Sequence, residues 1–164
     1  MKTFDISTAL SLFKKLLITM ERSNKTEYID TVNDIQNNLL KDNFEKSLTL
    51  LDTLKFSWYE NEDKVEKELV IIIKKKILSA YVYHLEESII DINKMALSLL
   101  PCDFSIDDVF FPSGLVKKGS DFESVIKKID GETFKFKDTI VYLLNSSLFQ
   151  HHKAIAIRKQ LAES

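Results

Sequence analysis

The sequence has very little glycine, proline or cysteine: three glycines, two prolines and one cysteine in 164 residues. A single cysteine, Cys102, allows no intrachain disulfide and no cysteine metal cluster, and it is typical of a cytoplasmic protein. The glycines, Gly114, Gly119 and Gly131, are too scattered for a Walker-type or dinucleotide-binding phosphate loop. We therefore predict no nucleotide cofactor and no cysteine-bound metal.

The chain also lacks a long uncharged apolar run. Asp5 falls where a secretory signal peptide would be apolar, and Lys74, Lys75 and Lys76 interrupt the most hydrophobic stretch. We therefore expect neither a signal peptide nor a transmembrane span, and no membrane partner. Charge is nearly balanced overall, with 23 basic and 25 acidic residues. From Gly114 onward, however, nine basic residues face six acidic ones (+3), while the preceding residues carry 14 against 19 (−5), an asymmetry that can indicate a binding surface.

What the sequence does contain is one long stretch, residues 62–100, with neither glycine nor proline. Its first half is apolar on nearly every side, which predicts a helix buried over most of its circumference. Its second half has one seam of apolar residues spaced alternately by four and three: Leu78, Val82, Leu85, Ile89, Ile92, Ala96 and Leu99. We predict the central helix of an all-α bundle, with a kink or break near residues 84–88, because an unbroken helix would span about 60 Å.

Three amphipathic patterns precede this stretch, and each predicts a helix with one buried face. Their apolar stripes are, in chain order, Leu10, Phe13, Leu17 and Met20; Ile29, Val32, Ile35 and Leu39; and Phe44, Leu48, Leu51 and Leu54. Candidate N-caps are Ser7 or Asp5, Thr26, and Asn61 for the central helix.

The C-terminal part begins at Pro101, which ends the central helix. A long connection over residues 101–120 could act as a hinge, although a single domain of about six to eight helices is the preferred interpretation. After it, a short helix should end at Gly131, and the segment 133–137 should be a loop or the entry to the next helix. A helix from Asp138 is expected to loosen at 145–147 before a last helix begins near Phe149.

The histidines offer little support for a metal site. His84 could share a helical face with Glu87 or Ser88, but a hydrogen-bonded histidine at a helix interface is the more usual case, and the Glu-x-x-His pairs of di-iron bundles are missing. His151 and His152 are adjacent and would point about 100° apart on a helix, so they would not easily share one ion. We predict no metal.

Two segments give the only functional lead. Residues Ile157–Ser164, IRKQLAES, resemble the terminal motif of the HEPN superfamily of small helical proteins, which commonly reads Arg-Asn-x-Leu-Ala-His. Residues Ile77–Lys94 are similar to the long middle helix of that family, with Leu85-Glu86 as its Leu-Glu pair. The resemblance implies a homodimer in which two motifs face each other, and active members cut RNA without metal.

The positions that carry chemistry in this family are only partly kept. Arg158, Leu161 and Ala162 match the motif, while Lys159 stands for the Asn and Glu163 for the His. The resemblance thus places Arg158 and Glu163 at the catalytic positions, but a carboxylate brings negative charge toward a polyanion and should abolish or alter the usual reaction.

Two functions are therefore compatible with the sequence. The first is a HEPN-like, catalytically inactive or altered module of defence or toxin-antitoxin systems that binds a partner protein or binds RNA through Arg158, Lys159 and Lys153. Further lysines in the same half count for little towards nucleic-acid binding without exposed aromatic residues among them. The second is a non-enzymatic immunity or antitoxin protein that blocks a toxin by direct binding through its acidic N-terminal half.

Overall fold

A computed structural model describes residues 7–22, 28–56, 64–101 and 122–163. Within these ranges the protein is all-α, as predicted, with six helices and no strand. The helices are α1 (Ser7–Arg22), α2 (Ile29–Leu40), α3 (Phe44–Phe56), α4 (Lys64–Ser98), α5 (Phe122–Asp130) and α6 (Lys137–Glu163). The expected caps at Asp5, Thr26 and Asn61, and residues 102–120 of the predicted connection, lie outside the described residues.

The chain divides into two compact units, Met1–Tyr81 and Val82–Ser164, and α4 contributes to both. In the first unit α2 packs against α1 and α3. The core is formed by the predicted stripes, with Phe13, Val32, Ile35, Leu51 and Leu54 almost completely buried. Leu16 is also fully buried, whereas its predicted neighbour Leu17 is half-buried, so α1 is rotated slightly from the predicted face.

A tight connection joins α2 to α3. Asp42 has a positive φ of 58°, and the backbone N–H groups of Asp42 and Asn43 donate to Leu39 O (3.1 Å) and Asn38 O (2.8 Å). These bonds satisfy carbonyls that the end of α2 would otherwise leave without a partner. Ser47 on α3 is fully buried, and its hydroxyl lies 3.3 Å from Ile35 O and 3.0 Å from Asn43 O, which fixes α3 against α2.

Helix α4 runs uninterrupted from Lys64 to Ser98, so the break expected near residues 84–88 does not occur. The segment contains neither glycine nor proline, the residues that most often end or kink a helix. The predicted seam is confirmed: Leu78, Val82, Leu85, Ile89 and Ala96 are buried, and Ile92 and Leu99 are half-buried.

In the second unit, α5 and α6 pack together and share an apolar cluster with the end of α4. The cluster consists of Ala96 from α4, Ile126 and Ile129 from α5, and Ile140 and Leu144 from α6. Gly131 follows α5, as expected, and its N–H donates to Lys127 O at 3.0 Å. The next residues form the predicted loop, in which Phe136 has a positive φ of 65°.

Helix α6 differs from the sequence prediction, which expected two helices in the last part of the chain. It continues through Asn145, Ser146 and Ser147 without the expected loosening and ends only at Glu163. The low helix propensity of Asn and Ser costs only tenths of a kcal/mol per residue relative to better helix formers, which burial can outweigh. Ser147 itself is fully buried, as are Leu144 before it and Ala154 after it. No helix in the described part of the chain is both long and apolar enough to cross a membrane.

A buried tyrosine joins α4 to α3 in the first unit, and its removal provides a test of this packing. The Tyr81 hydroxyl donates to Glu45 Oε1 at 2.7 Å, while its ring stacks on Phe44 with centroids 5.2 Å apart. We expect Tyr81→Phe to lower the free energy of unfolding by about 1 kcal/mol, because it removes a hydrogen bond to a charged group and keeps the stacking. Urea unfolding measures the change. Tyr142→Phe, which removes an exposed hydroxyl, is the matched control, and equal losses in the two variants would contradict this role.

Candidate nucleic-acid interface

The structure brings together the two segments that carry the family resemblance. Arg158 lies on α6, and its Nη2 forms an ion pair with Oε1 of Glu86 on α4, within the second unit. The Arg158 side chain is 61% exposed and that of Glu86 is 31% exposed. Because a guanidinium has five N–H donors, Arg158 can hold Glu86 and still offer donors to an anion from solvent.

The composition of α6 explains why Arg158 pairs with another helix. Between Thr139 and Ala162, α6 contains three cationic residues and no Asp or Glu. The positions three and four residues from Arg158 therefore hold no carboxylate for the usual ion pair within a helix. The partner comes from α4 instead, and this half-exposed pair is worth at most about 1 kcal/mol to stability.

The other predicted contact residues of the terminal motif lie on different faces of α6. Lys159 is exposed and lies about 100° around the helix from Arg158. Glu163, the last residue of α6, is exposed. It lies five residues after Arg158, which corresponds to a rotation of about 140° around the helix axis. A helical backbone thus places Arg158 and Glu163 on separate faces, which does not by itself form a pair of groups converging on one reacting atom.

Lys153, the third predicted RNA contact, lies beside an aromatic ring. Its Nζ is 5.0 Å from the ring centroid of Phe149, and Phe149 is 65% exposed. Lys135 Nζ similarly lies 5.0 Å from the centroid of the exposed ring of Phe136. Exposed aromatic residues therefore occur among the cations of this half of the chain, which the sequence analysis did not predict.

The separation of two aromatic residues along the sequence could have predicted that their rings lie on one face of α6. Tyr142 and Phe149 are seven residues apart, so they share a face only if the helix is continuous through 145–147. A break at 145–147, as predicted from the sequence, would leave the orientations of the two rings unrelated. In the structure both rings are exposed on one side of α6, and Tyr142 is the most exposed large apolar side chain of the described residues at 72%.

The neighbouring histidines of α6 differ in environment. The His151 and His152 rings are 6.2 Å apart between centroids and tilted by 51°. Burial of His151 lowers its pKa below the ordinary value, and the positive charge of His152 lowers that pKa further. Both effects favour the neutral imidazole of His151.

The structure forms no candidate metal centre in its described ranges, where no three His, Cys, Asp or Glu side chains are placed to hold an ion. His84 is exposed on α4, in contrast to the interface position considered from the sequence. Comparisons with models of protein families, with curated proteins and with solved structures give no match for this chain.

The lowered pKa of His151 predicts a loss of stability in mild acid. An unfolded histidine has a pKa of about 6.5, so below that pH the unfolded state binds more protons than the folded state until His151 is protonated in the folded state too. The stability that His151 contributes is complete above that pH and is lost as pH falls through the lower pKa of the folded state. Chemical unfolding at several pH values should show a smaller acid loss for His151→Gln than for the parent. His84→Gln is the matched control, and an identical pH profile for parent and His151→Gln would rule this explanation out.

Proposed function

We propose that this chain is a HEPN-like helical protein of the cytoplasm that binds RNA as a homodimer and lacks the ordinary ribonuclease reaction of that family. A role in defence or in a toxin-antitoxin pair follows from the same kinship. The main support for this proposal is the contact between Arg158 and Glu86. This contact joins the two segments that resemble the terminal motif and the long middle helix of HEPN proteins. Arg158 remains well exposed, as a phosphate-binding residue must be.

The proposed loss of cleavage rests on Glu163. A metal-independent cleavage of RNA needs a group that moves protons at the ribose and a cation that stabilises the phosphate. Arg158 supplies the cation, whereas Glu163 places a carboxylate where the family has an imidazole. A phosphodiester repels a neighbouring carboxylate, so Glu163 does not replace the imidazole in cleavage. The proposed protein therefore binds phosphate through Arg158 and does not cleave the RNA.

Substitution of the two partners in the ion pair should change RNA affinity in opposite directions. Arg158→Ala should weaken binding roughly 5-fold through loss of a charge-assisted contact. It should also make the dependence of log K on log salt shallower by about 0.7, the value for one phosphate of a single strand. Glu86→Gln should strengthen binding, because it removes the carboxylate that competes for the guanidinium. Fluorescence anisotropy with a labelled RNA across a salt series measures both effects.

Lys76→Ala is the matched control for this experiment. It removes one positive charge from an exposed position in the first unit, so a general effect of net charge would appear in it as well. If Arg158→Ala and Lys76→Ala weaken binding equally, Arg158 has no special role. Absence of RNA binding by the parent protein rejects the proposed function outright.

The homodimer has a test of its own. Kinship with HEPN proteins requires two copies of the terminal motif to face each other, so the parent should sediment as a dimer. A cysteine introduced by Arg158→Cys should cross-link to its symmetry mate under mild oxidation, with Cys102→Ala in the background to remove the native thiol. Lys46→Cys, on the exposed side of α3, is the control. A monomeric parent, or equal cross-linking from both positions, argues against the dimer.

A second candidate is an immunity or antitoxin protein that binds a basic toxin. The observation in its favour is that Ile71 and Ile72 of α4 are about half exposed within the first unit, while the chain before Gly114 carries a net charge of −5. Exposed apolar side chains on a part of the chain with net negative charge suit a basic protein partner. A stable complex that Ile71→Asp dissolves, together with no RNA binding, would favour this function over the first.

A further inference from the structure

The outward face of α6 carries two rings and two opposite charges that are placed symmetrically about one point of the helix. Tyr142 and Phe149 are 72% and 65% exposed, and each lies about 5 Å along the axis from the midpoint of positions 145 and 146. Asp138 and Lys153 lie about 11 Å from the same midpoint, in opposite directions, and all four positions fall within about 60° of arc. The face therefore has aromatic rings near its centre and one charge of each sign at its ends.

This arrangement is complementary to a copy of itself in one orientation. When two α6 helices pair antiparallel about a two-fold axis through the midpoint, Tyr142 of each copy lies level with Phe149 of the other. Asp138 of each copy likewise lies level with Lys153 of the other, within reach of a lysine side chain. A parallel pair in register would instead place each charged side chain beside its own mate, where like charges repel. The charges thus select the antiparallel orientation.

The other charged residues of α6 do not oppose this pairing. Two helices centred on the midpoint overlap from Lys137 to Ala154. Apart from the two end charges, the only Asp, Glu, Lys or Arg in that length is Lys137, which pairs with Asp130 at 3.9 Å. Lys159 and Glu163 lie beyond the overlap and are four positions apart, the spacing of an ion pair within a helix.

We propose that the face of α6 formed by Asp138, Tyr142, Phe149 and Lys153 binds a second copy of this chain in an antiparallel, two-fold symmetric contact. The four rings form its apolar centre, and two ion pairs between Asp138 and Lys153 close its ends. The contact of Lys153 with the Phe149 ring is kept, because an ammonium has three donors and can hold a ring and a carboxylate together.

The pattern of charge is what selects this occupant. Two exposed rings alone suit many partners, whereas a negative and a positive side chain at equal distances from the centre suit a partner with the same pattern reversed. A second copy of the chain presents that pattern. A nucleic-acid strand carries charge of one sign and would lie against Asp138 at one end of the face. The observations therefore favour self-association over a strand.

This contact is separate from the homodimer of the proposed function. Phe149 and Arg158 are nine positions apart, which places them on opposite sides of α6. The two contacts can coexist, so the outward face adds a second association step to the dimer that kinship requires. With two rings and two charges from each copy the contact is small, and we expect it to form as protein concentration rises.

Sedimentation equilibrium over a range of concentrations measures this step, and the mass of the parent should at least double between low and high concentration. Asp138→Lys and Lys153→Asp should each weaken the step about 10-fold, because each turns two ion pairs into two like-charge pairs. An equimolar mixture of the two variants should associate as tightly as the parent, because each variant presents the charges that the other needs. No contact within a single chain can produce this rescue.

The rings are tested by the double variant Tyr142→Ser, Phe149→Ser, which should associate at least about 10-fold more weakly than the parent. Its Tm at low concentration should stay close to that of the parent, because both rings are exposed. Leu40→Ser, which removes an exposed apolar side chain of α2, is the control for the rings. Asp34→Lys, at an exposed position of α2, is the control for charge reversal, and both controls should associate like the parent.

Three results overturn the proposed contact. One is a parent whose mass does not change with concentration, and another is a mixture of the two charge variants that associates no better than either variant alone. The third is a serine variant with unaltered association and weaker RNA binding, which assigns the face to nucleic acid. The proposed function is distinguished from this contact by Arg158→Ala and Arg158→Cys, because their effects on RNA binding and cross-linking do not involve the outward face.

Discussion

The burial of α4 is the constraint on which the rest of the structure depends. This helix of 35 residues supplies buried side chains to both compact units, with Ile73 and Ile77 in the first and Leu85, Ile89 and Ala96 in the second. Each fully buried leucine or isoleucine side chain is worth about 1.5–3 kcal/mol relative to exposure, so these buried contacts far outweigh any single surface contact. Within the second unit, the buried face of α4 positions Glu86 for its ion pair with Arg158 of α6.

Much of this arrangement could be predicted from the sequence because apolar periodicity directly reports which face is buried. The stripes of α2 and α4 were correct nearly residue by residue. The errors concern interruptions. The length of α4 predicts a kink or break near 84–88, and the polar residues at 145–147 predict a second one, yet neither feature removes a backbone hydrogen bond as proline does. Propensity differences of tenths of a kcal/mol are overruled by packing, as the buried Ser147 within α6 illustrates.

The candidate site was accessible from the sequence only in part. Arg158 and the Leu85-Glu86 pair could be chosen by resemblance, but their contact depends on how α4 and α6 pack, and no spacing in the sequence reports that. The same limit applies to Tyr142 and Phe149. Their exposure depends on which side of α6 faces the cluster of Ile126, Ile129 and Ile140, and that side is decided by the whole second unit.

The positions of the carboxylates along α6 decide how its cations are paired. No carboxylate lies three or four positions from Arg158, so this cation needs a partner from another element. Arg158 meets that need inward, through Glu86 on α4, and this pairing holds its guanidinium in one orientation. Lys159 is exposed and has Glu163 four positions further along the same helix, the spacing of an ion pair within a helix, while Lys153 lies against the Phe149 ring. Arg158 is thus the cation of α6 whose pairing depends on the packing of α4 against α6.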